Sequence, residues 1–388
     1  MPRAGDLPPL HLRRATLREL ELPLVRPFAT SFGVERRRRL LLLSLEEEGG
    51  RTGWSECVAG RDPLYSSESV LTAREMLLRY LLPLLRLAGG TTPQHFLTAA
   101  DAYRGHPMAK ATVEMALWDL SARVLRTPLS RLLGGRSRPV PVGVSVGLQP
   151  SPQALVDQVS GYRHAGYGRI KLKVAPGKDE AYVMRVRDTF PEVPLWVDAN
   201  QAYGLQDLPR LARWARRSRV ELIEQPFPED RLVWHARLAR RLRSPIRLCL
   251  DESITGPGRL EEAIALRAIQ VLNIKPGRVG GLGPSVELHA RSARAGIPVW
   301  CGGMLETGIG RAHNLSLATL PGFTLPSDLS ASDRYYREDL VEPPFTLGPG
   351  STMRPRPGTG IGVDPVEGRL TRWTRRHWEL PLSHPARH

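Results

Sequence analysis

The run RIKLKV (Arg169–Val174) alternates in character. Read as a strand, it sends Lys171 and Lys173 to one face and Ile170, Leu172 and Val174 to the other. Runs of similar length recur on both sides of it. They are PVGVSVG (141–147), LWVDAN (195–200), LIEQP (222–226), LCLDES (248–253), VLNIKP (271–276) and PVWCGGM (298–304), with a weaker eighth, FTLPSDL (323–329). Amphipathic helical patterns fill the gaps, at a spacing of about 25 residues, the size of one βα unit. Seven or eight such units in series predict a closed parallel barrel rather than an open doubly wound sheet. With the apolar face turned to the helices, both lysines point into the barrel.

The flanking segments read differently. RRLLLLSLEEEGGRTGWSEC forms a predicted hairpin turning near Glu48-Gly49-Gly50, and helical periodicity follows in SVLTAREMLLRYLLPLL and AKATVEMALWDLSARVL. From about residue 335 the chain becomes rich in Pro and Gly, as in EPPFTLGPG and RPRPGTGIGV. The expected organisation is an α+β cap over 1–135, a (β/α)7β barrel over 136–334, and a C-terminal segment over 335–388 that returns to the cap. The fold class is α/β, a modified TIM barrel.

Composition narrows the function. A chain of 388 residues with 41% hydrophobic content can bury a large core. Cys57, Cys249 and Cys301 are odd in number and far apart, so a disulfide framework is not expected. No apolar run approaches the roughly 18 residues that would span a bilayer. The N-terminus lacks the apolar core of a secretory signal, and a cytoplasmic location without membrane attachment is expected. The net charge of +16 invites a nucleic-acid reading. Against it, the arginines are dispersed over helix faces, and neither zinc-finger spacing nor an RNP pattern occurs. A solvated basic surface is the expectation, and nucleic-acid binding is the remote alternative.

Parallel barrel strands are ordinarily apolar on both faces. Here Asp198, Glu224 and Asp251 end three consecutive predicted strands, and Lys275 ends the next. Charged residues at those ends read as catalytic. Neighbouring strands lie about 4.8 Å apart, so the three carboxylates can converge, and a hard divalent cation such as Mg²⁺ would neutralise them. Glu252, directly after Asp251, is expected to point away. Lys173 and Lys275 would flank the cation from opposite sides. An amine that loses its proton serves as a general base, which Arg cannot do. Lys171 would favour that loss at Lys173 as a like charge, and Arg278 could do the same for Lys275. Only five of the 55 Lys and Arg residues are Lys. Three of the five lie here, which simple charge pairing does not account for.

These residues resemble the enolase superfamily in its muconate-lactonizing-enzyme subgroup. The likeness rests on Lys171-Leu172-Lys173, Asp198 with Asn200, Glu224 in IEQP, Asp251 in LDES and Lys275 in NIKPGRVGG. The base-plus-Mg²⁺ arrangement is general to that superfamily. Cap motifs RPFATSFGV, GWSECVAGRDPLYSSE and MAKATVEMALWDLSAR, with WCGGMLETGIGRAHN and SDLSASDRYY, are most similar to the o-succinylbenzoate synthase / N-succinylamino acid racemase family. Two features are less typical: the segment between Glu224 and Asp251 is slightly long, and the Arg-rich tail after Asp364 adds nothing to the resemblance.

The resemblance implies removal of a proton α to a carboxylate, giving an enediolate stabilised by Mg²⁺. For racemisation, Lys173 and Lys275 would serve opposite faces. For dehydration to o-succinylbenzoate, Lys173 would act as base and then acid, with Lys275 remaining charged. A dipeptide epimerase or muconate-type cycloisomerase is the alternative. Phe28, Thr30, Ser31 and Phe32 would form a lid with Tyr65 beside it. Ser145 would meet the succinyl end, and Gly303, Met304 and Leu305 would offer backbone N–H groups and a wall. Asn200 would also contact the substrate, a small-molecule carboxylate. A homo-oligomer, from dimer to octamer, is implied as well.

Overall fold

The computed structural model describes residues 7–86, 90–136 and 138–383. The outermost parts of the two flanking segments, 1–6 and 384–388, lie outside them. In chain order the strands are β1 (Leu12–Ala29), β2 (Val34–Glu47), β3 (Thr52–Cys57), β4 (Val140–Pro141), β5 (Gly143–Val146), β6 (Arg169–Lys173), β7 (Leu195–Asp198), β8 (Leu222–Glu224), β9 (Arg247–Leu250), β10 (Val271–Ile274), β11 (Val299–Cys301), β12 (Thr352–Met353) and β13 (Thr374–Pro381). Among the described residues, no helix is long and apolar enough to cross a membrane.

Strands β5 to β11 form one parallel sheet in sequence order. The predicted eighth strand is not a regular one. Its segment bridges Phe323 to Val299 on one side and Ser327 to Val142 on the other, and so closes the barrel. Pro326 supplies no N–H in the middle of that segment, which limits its ladder. Each regular strand is followed by a helix that covers its outward apolar side chains. Inside, Trp196, Leu222, Cys249, Val271 and Trp300 fill the lower barrel. The Arg169 guanidinium lies 4.5 Å from the Trp196 ring centroid and forms an ion pair of 2.6 Å with Asp328.

The antiparallel sheet has the order β13-β1-β2-β3. Its first three strands come from the N-terminal region, and β13, from the far end of the chain, pairs with β1 over Arg14↔Pro381 to Leu20↔Thr374. The helix Pro107–Val124 packs beneath this sheet and is buried along most of its length. Its Glu114 accepts hydrogen bonds of 2.7 Å from the backbone of both Leu282 and Gly283. These are unpaired donors at the start of the helix Leu282–Arg294 that follows β10. Cap and barrel are thereby joined beside Lys275.

A second joint lies one step away. Gly277, two residues after Lys275, leaves room for Val58 at the end of the β3 segment; a Cβ on Gly277 would overlap the Val58 Cγ2. Gly277→Ala is therefore expected to destabilise the protein by about 1–3 kcal/mol through overpacking. Adding Val58→Ala should recover part of that loss in a denaturant titration. Independent, additive losses would show that Val58 is not what excludes the side chain.

Candidate active site

The strand register sets the site. Lys173 pairs with Asp198 and Asp198 with Glu224 across β6, β7 and β8. Asp251 follows β9 directly and Lys275 follows β10. All of these groups gather at the C-terminal mouth of the barrel. Above them is a cavity of about 410 Å³, lined by Lys171, Lys173 and Lys275 from the barrel and by Phe28, Phe32 and Tyr65 from the cap. Ser145, Asn200, Gly303, Met304 and Leu305 also line it.

The carboxylates lie beneath the lysines, Asp198 at 1% exposure and Glu224 and Asp251 at 0%. The Lys171 Nζ lies 2.6 Å from Glu224, 2.6 Å from Asp328 and 3.1 Å from Asp198. Lys173 donates 2.6 Å hydrogen bonds to Asp198 Oδ2 and Asn200 Oδ1. Lys275 lies 2.7 Å from Asp251 Oδ2 and 3.0 Å from the Tyr65 hydroxyl. Tyr65 donates to Asp251 Oδ1 at 3.1 Å, and Arg278 pairs with the same oxygen. Asn273 donates to Glu224 Oε1 at 2.7 Å.

This geometry bears on how Lys171 and Arg278 act as charges. Burial alone would lower the Lys171 pKa, but Asp328, Glu224 and Asp198 outweigh it and hold Lys171 well above the usual lysine range. Burial likewise opposes the charge on Lys275, and Asp251, followed by Tyr65, Glu252 and Glu224, pushes it well above the usual range. Arg278 does not act on Lys275 as a bare like charge, because both cations share Asp251. Lys171 and Lys275 are thus held as ammonium groups by the surrounding carboxylates.

Glu252 is also turned differently from expectation. It is 2% exposed and accepts a 3.1 Å hydrogen bond from Asn200 Nδ2. Burial, with Asp251 and Asp198 nearby, pushes its carboxyl up to about 8. Burial and Asp198 likewise raise Glu224 to about 8, against the pull of Lys171. In Asp198 and Asp251 the balance reverses. Burial raises both, but Lys173 and Lys171 outweigh it for Asp198, as Lys275 and Arg278 do for Asp251, and both fall below the usual carboxylate range.

The wall residues divide. Ser145 is 7% exposed, and its Oγ has no hydrogen-bond partner among the described residues. An unpaired buried hydroxyl facing a cavity suits a ligand contact. Backbone donation from the 303–305 stretch is less free than expected, since the Met304 N–H already donates to Glu306 Oε2 at 2.7 Å. The side chains of Met304 and Leu305 still form wall. Phe28 sits edge-on to Tyr335 at 6.3 Å, and Phe32 lies 6.2 Å from Tyr65. The lid is held down further by Leu148 N–H donating to the Ala29 carbonyl at 2.8 Å and by Ser31 Oγ donating to the Asn200 carbonyl at 3.0 Å. Sequence reasoning did not single out Asp328. It ends the closing segment, so the strand-end rule that found Asp251 could have found it.

A capped parallel barrel with carboxylates and lysines gathered at its mouth is the architecture of a barrel enzyme. Comparison with known proteins places it further. Residues 13–134 match the model for the mandelate racemase / muconate lactonizing enzyme N-terminal domain, and residues 154–368 match the enolase C-terminal domain-like model. An N-succinylamino acid racemase from Thermus thermophilus is 47% identical over 94% of this chain and 99% of its own. An o-succinylbenzoate synthase from Geobacillus stearothermophilus is 42% identical over 94% of this chain and 96% of its own. The crystal structure of an enolase-superfamily member from Listeria innocua superposes with a TM-score of 0.91 at 37% identity, covering 96% of this chain and all of that one. The chain belongs to the enolase superfamily, and within it to the o-succinylbenzoate synthase / N-succinylamino acid racemase family.

Proposed function

We propose that the chain abstracts the proton α to a substrate carboxylate, acting as an o-succinylbenzoate synthase, an N-succinylamino acid racemase, or both. The observation that carries this reading is the pair Lys173 and Lys275, set on separate strands and facing one cavity across a floor of buried carboxylates. Lys173 removes or returns a proton at Cα on one side and Lys275 on the other. In dehydration Lys173 would serve both steps, as base and then as acid for the departing hydroxyl, while Lys275 stays charged. The lid residues Phe28 and Phe32 exclude water, and Ser145 and Asn200 orient the substrate.

Asp198, Glu224 and Asp251 are the residues that would hold a divalent cation. Among the described residues no three such side chains stand close enough to grip one as placed, because each faces a cation of the protein. The chemistry of the donor set nevertheless fits. All three are buried oxygen donors close enough to shift one another's ionisation, as a hard cation requires. Bound Mg²⁺ would supply Lewis-acid stabilisation of charge developing on the substrate carboxylate. Even with every carboxyl ionised, Asp198, Glu224, Asp251, Glu252 and Asp328 no more than balance Arg169, Lys171, Lys173, Lys275 and Arg278, and Glu224 and Glu252, raised to about 8, carry less than a full charge at neutral pH. A divalent cation then leaves the mouth positive, which suits a dicarboxylate such as an N-succinylamino acid. A cytoplasmic homo-oligomer acting on a small molecule completes the proposal.

The test is α-proton exchange of N-succinylamino acids in deuterated water, run beside an o-succinylbenzoate synthase assay. Turnover in at least one is expected; none in either rejects the reading. Chelation should abolish the activity and added Mg²⁺ should restore it. Full activity after exhaustive chelation would remove the cation from the proposal.

A further inference from the structure

We infer that Tyr65, carried by the cap, is a positioning residue for Lys275 and so sets how well the enzyme works on one face of its substrate relative to the other. The inference rests on the proton-transfer roles proposed above for Lys173 and Lys275.

The two lysines are held in different ways. Lys173 is held entirely by the barrel, through Asp198 and Asn200. Lys275 is held by the barrel residue Asp251 and by Tyr65. Tyr65 engages the amine twice: its hydroxyl accepts from Nζ at 3.0 Å, and its ring centroid lies 4.5 Å from Nζ. A hydroxyl and a π-face together fix an ammonium in direction as well as in distance. A lysine has three rotatable N–H groups on a flexible stem, so without such a guide its proton is not aimed.

Tyr65 is itself held in place. Its hydroxyl donates to Asp251 Oδ1, and its ring meets Phe32 of the lid. The neighbouring Leu64 packs close to Gly33 in the same lid. Lid closure and the aim of Lys275 are therefore linked through one side chain, while Lys173 meets the lid only through the Asn200 backbone. Asp251 is also a candidate cation ligand. An oxygen committed to a cation is a weaker acceptor for Lys275, and the Tyr65 oxygen then matters more.

Racemisation needs both lysines to move protons, whereas dehydration asks that only of Lys173. Loss of the Tyr65 hydroxyl should therefore act unequally on the two faces. The experiment measures α-proton exchange of the D and L forms of one N-succinylamino acid separately, in wild type and in Tyr65→Phe. The enantiomer that Lys173→Arg still exchanges identifies the Lys275 side. Phe keeps the ring against Phe32, so the fold should hold, and a melting curve checks it. The expected result is a drop of about ten-fold in the ratio of Lys275-side to Lys173-side exchange, the size of one hydrogen bond to a charged group. The Mg²⁺ concentration giving half activity should not change. An unchanged ratio, whether both rates fall together or neither does, overturns the inference. So does a shifted Mg²⁺ requirement with a constant ratio, which would place Tyr65 in support of Asp251 alone. A wild type that exchanges neither enantiomer counts instead against the proposed racemisation.

Discussion

Replacing Lys173 by Arg is expected to abolish synthase turnover and Lys173-side proton exchange while leaving the fold intact. Arg keeps the positive charge that Asp198 and the Asn200 amide oxygen accept at 2.6 Å. What it loses is the removable proton, since a guanidinium stays protonated. General-base catalysis is worth about 10²–10⁴ in rate, and the loss should fall at the upper end because Lys171, the other amine beside Asp198, is already tied to Glu224 and Asp328. Stopped assays on both substrates, with a melting curve as control, measure it. Activity within ten-fold of wild type would remove Lys173 from the role.

The second large effect is expected at Asp251. Asn there preserves shape but removes the charge shared by Lys275, Arg278 and Tyr65. Two buried cations would lose their counter-ion, and leaving buried charge unpaired costs about 3–5 kcal/mol. The variant should lose Mg²⁺-dependent turnover and also unfold at markedly lower denaturant. Arg278→Met added to it should restore part of the stability, because one of the stranded cations is gone. A single variant as stable as wild type would show that Asp251 is not the counter-ion the geometry indicates.

These residues differ in how far the sequence announces them. Asp198, Glu224 and Lys275 were legible because each interrupts an apolar run at a strand's end, and a parallel strand buried on both faces has no other reason to carry charge. Period-two alternation also placed Lys171 and Lys173 on one face. That rule fails one residue past a strand. Glu252 lies in the turn after β9, where alternation no longer sets direction, and it swings back to Asn200. Asp328 lies near the end of the weak eighth segment, whose poor apolar pattern gave the strand-end rule little to act on. The charge state of the lysines depends on distances between side chains far apart in the chain, 157 residues for Lys171 to Asp328 and 210 for Lys275 to Tyr65, and composition does not encode those distances. The same holds for Tyr65, which is 186 residues from the aspartate it touches. Its motif marked the loop but not the amine it would hold.

The pairing of β13 with β1 has a consequence for synthesis on the ribosome. Strand β1 is made about 350 residues before its partner β13. At bacterial elongation rates the interval between Leu20 and Thr374 amounts to roughly 20–70 s. The barrel strands find their neighbours within one or two units and can assemble meanwhile. Throughout that time one flank of β1 offers open backbone donors and acceptors to any other extended chain. The nascent protein therefore carries a risk of mispairing in the part that later covers the chemistry, and cells making it quickly should gain from a chaperone until β13 emerges.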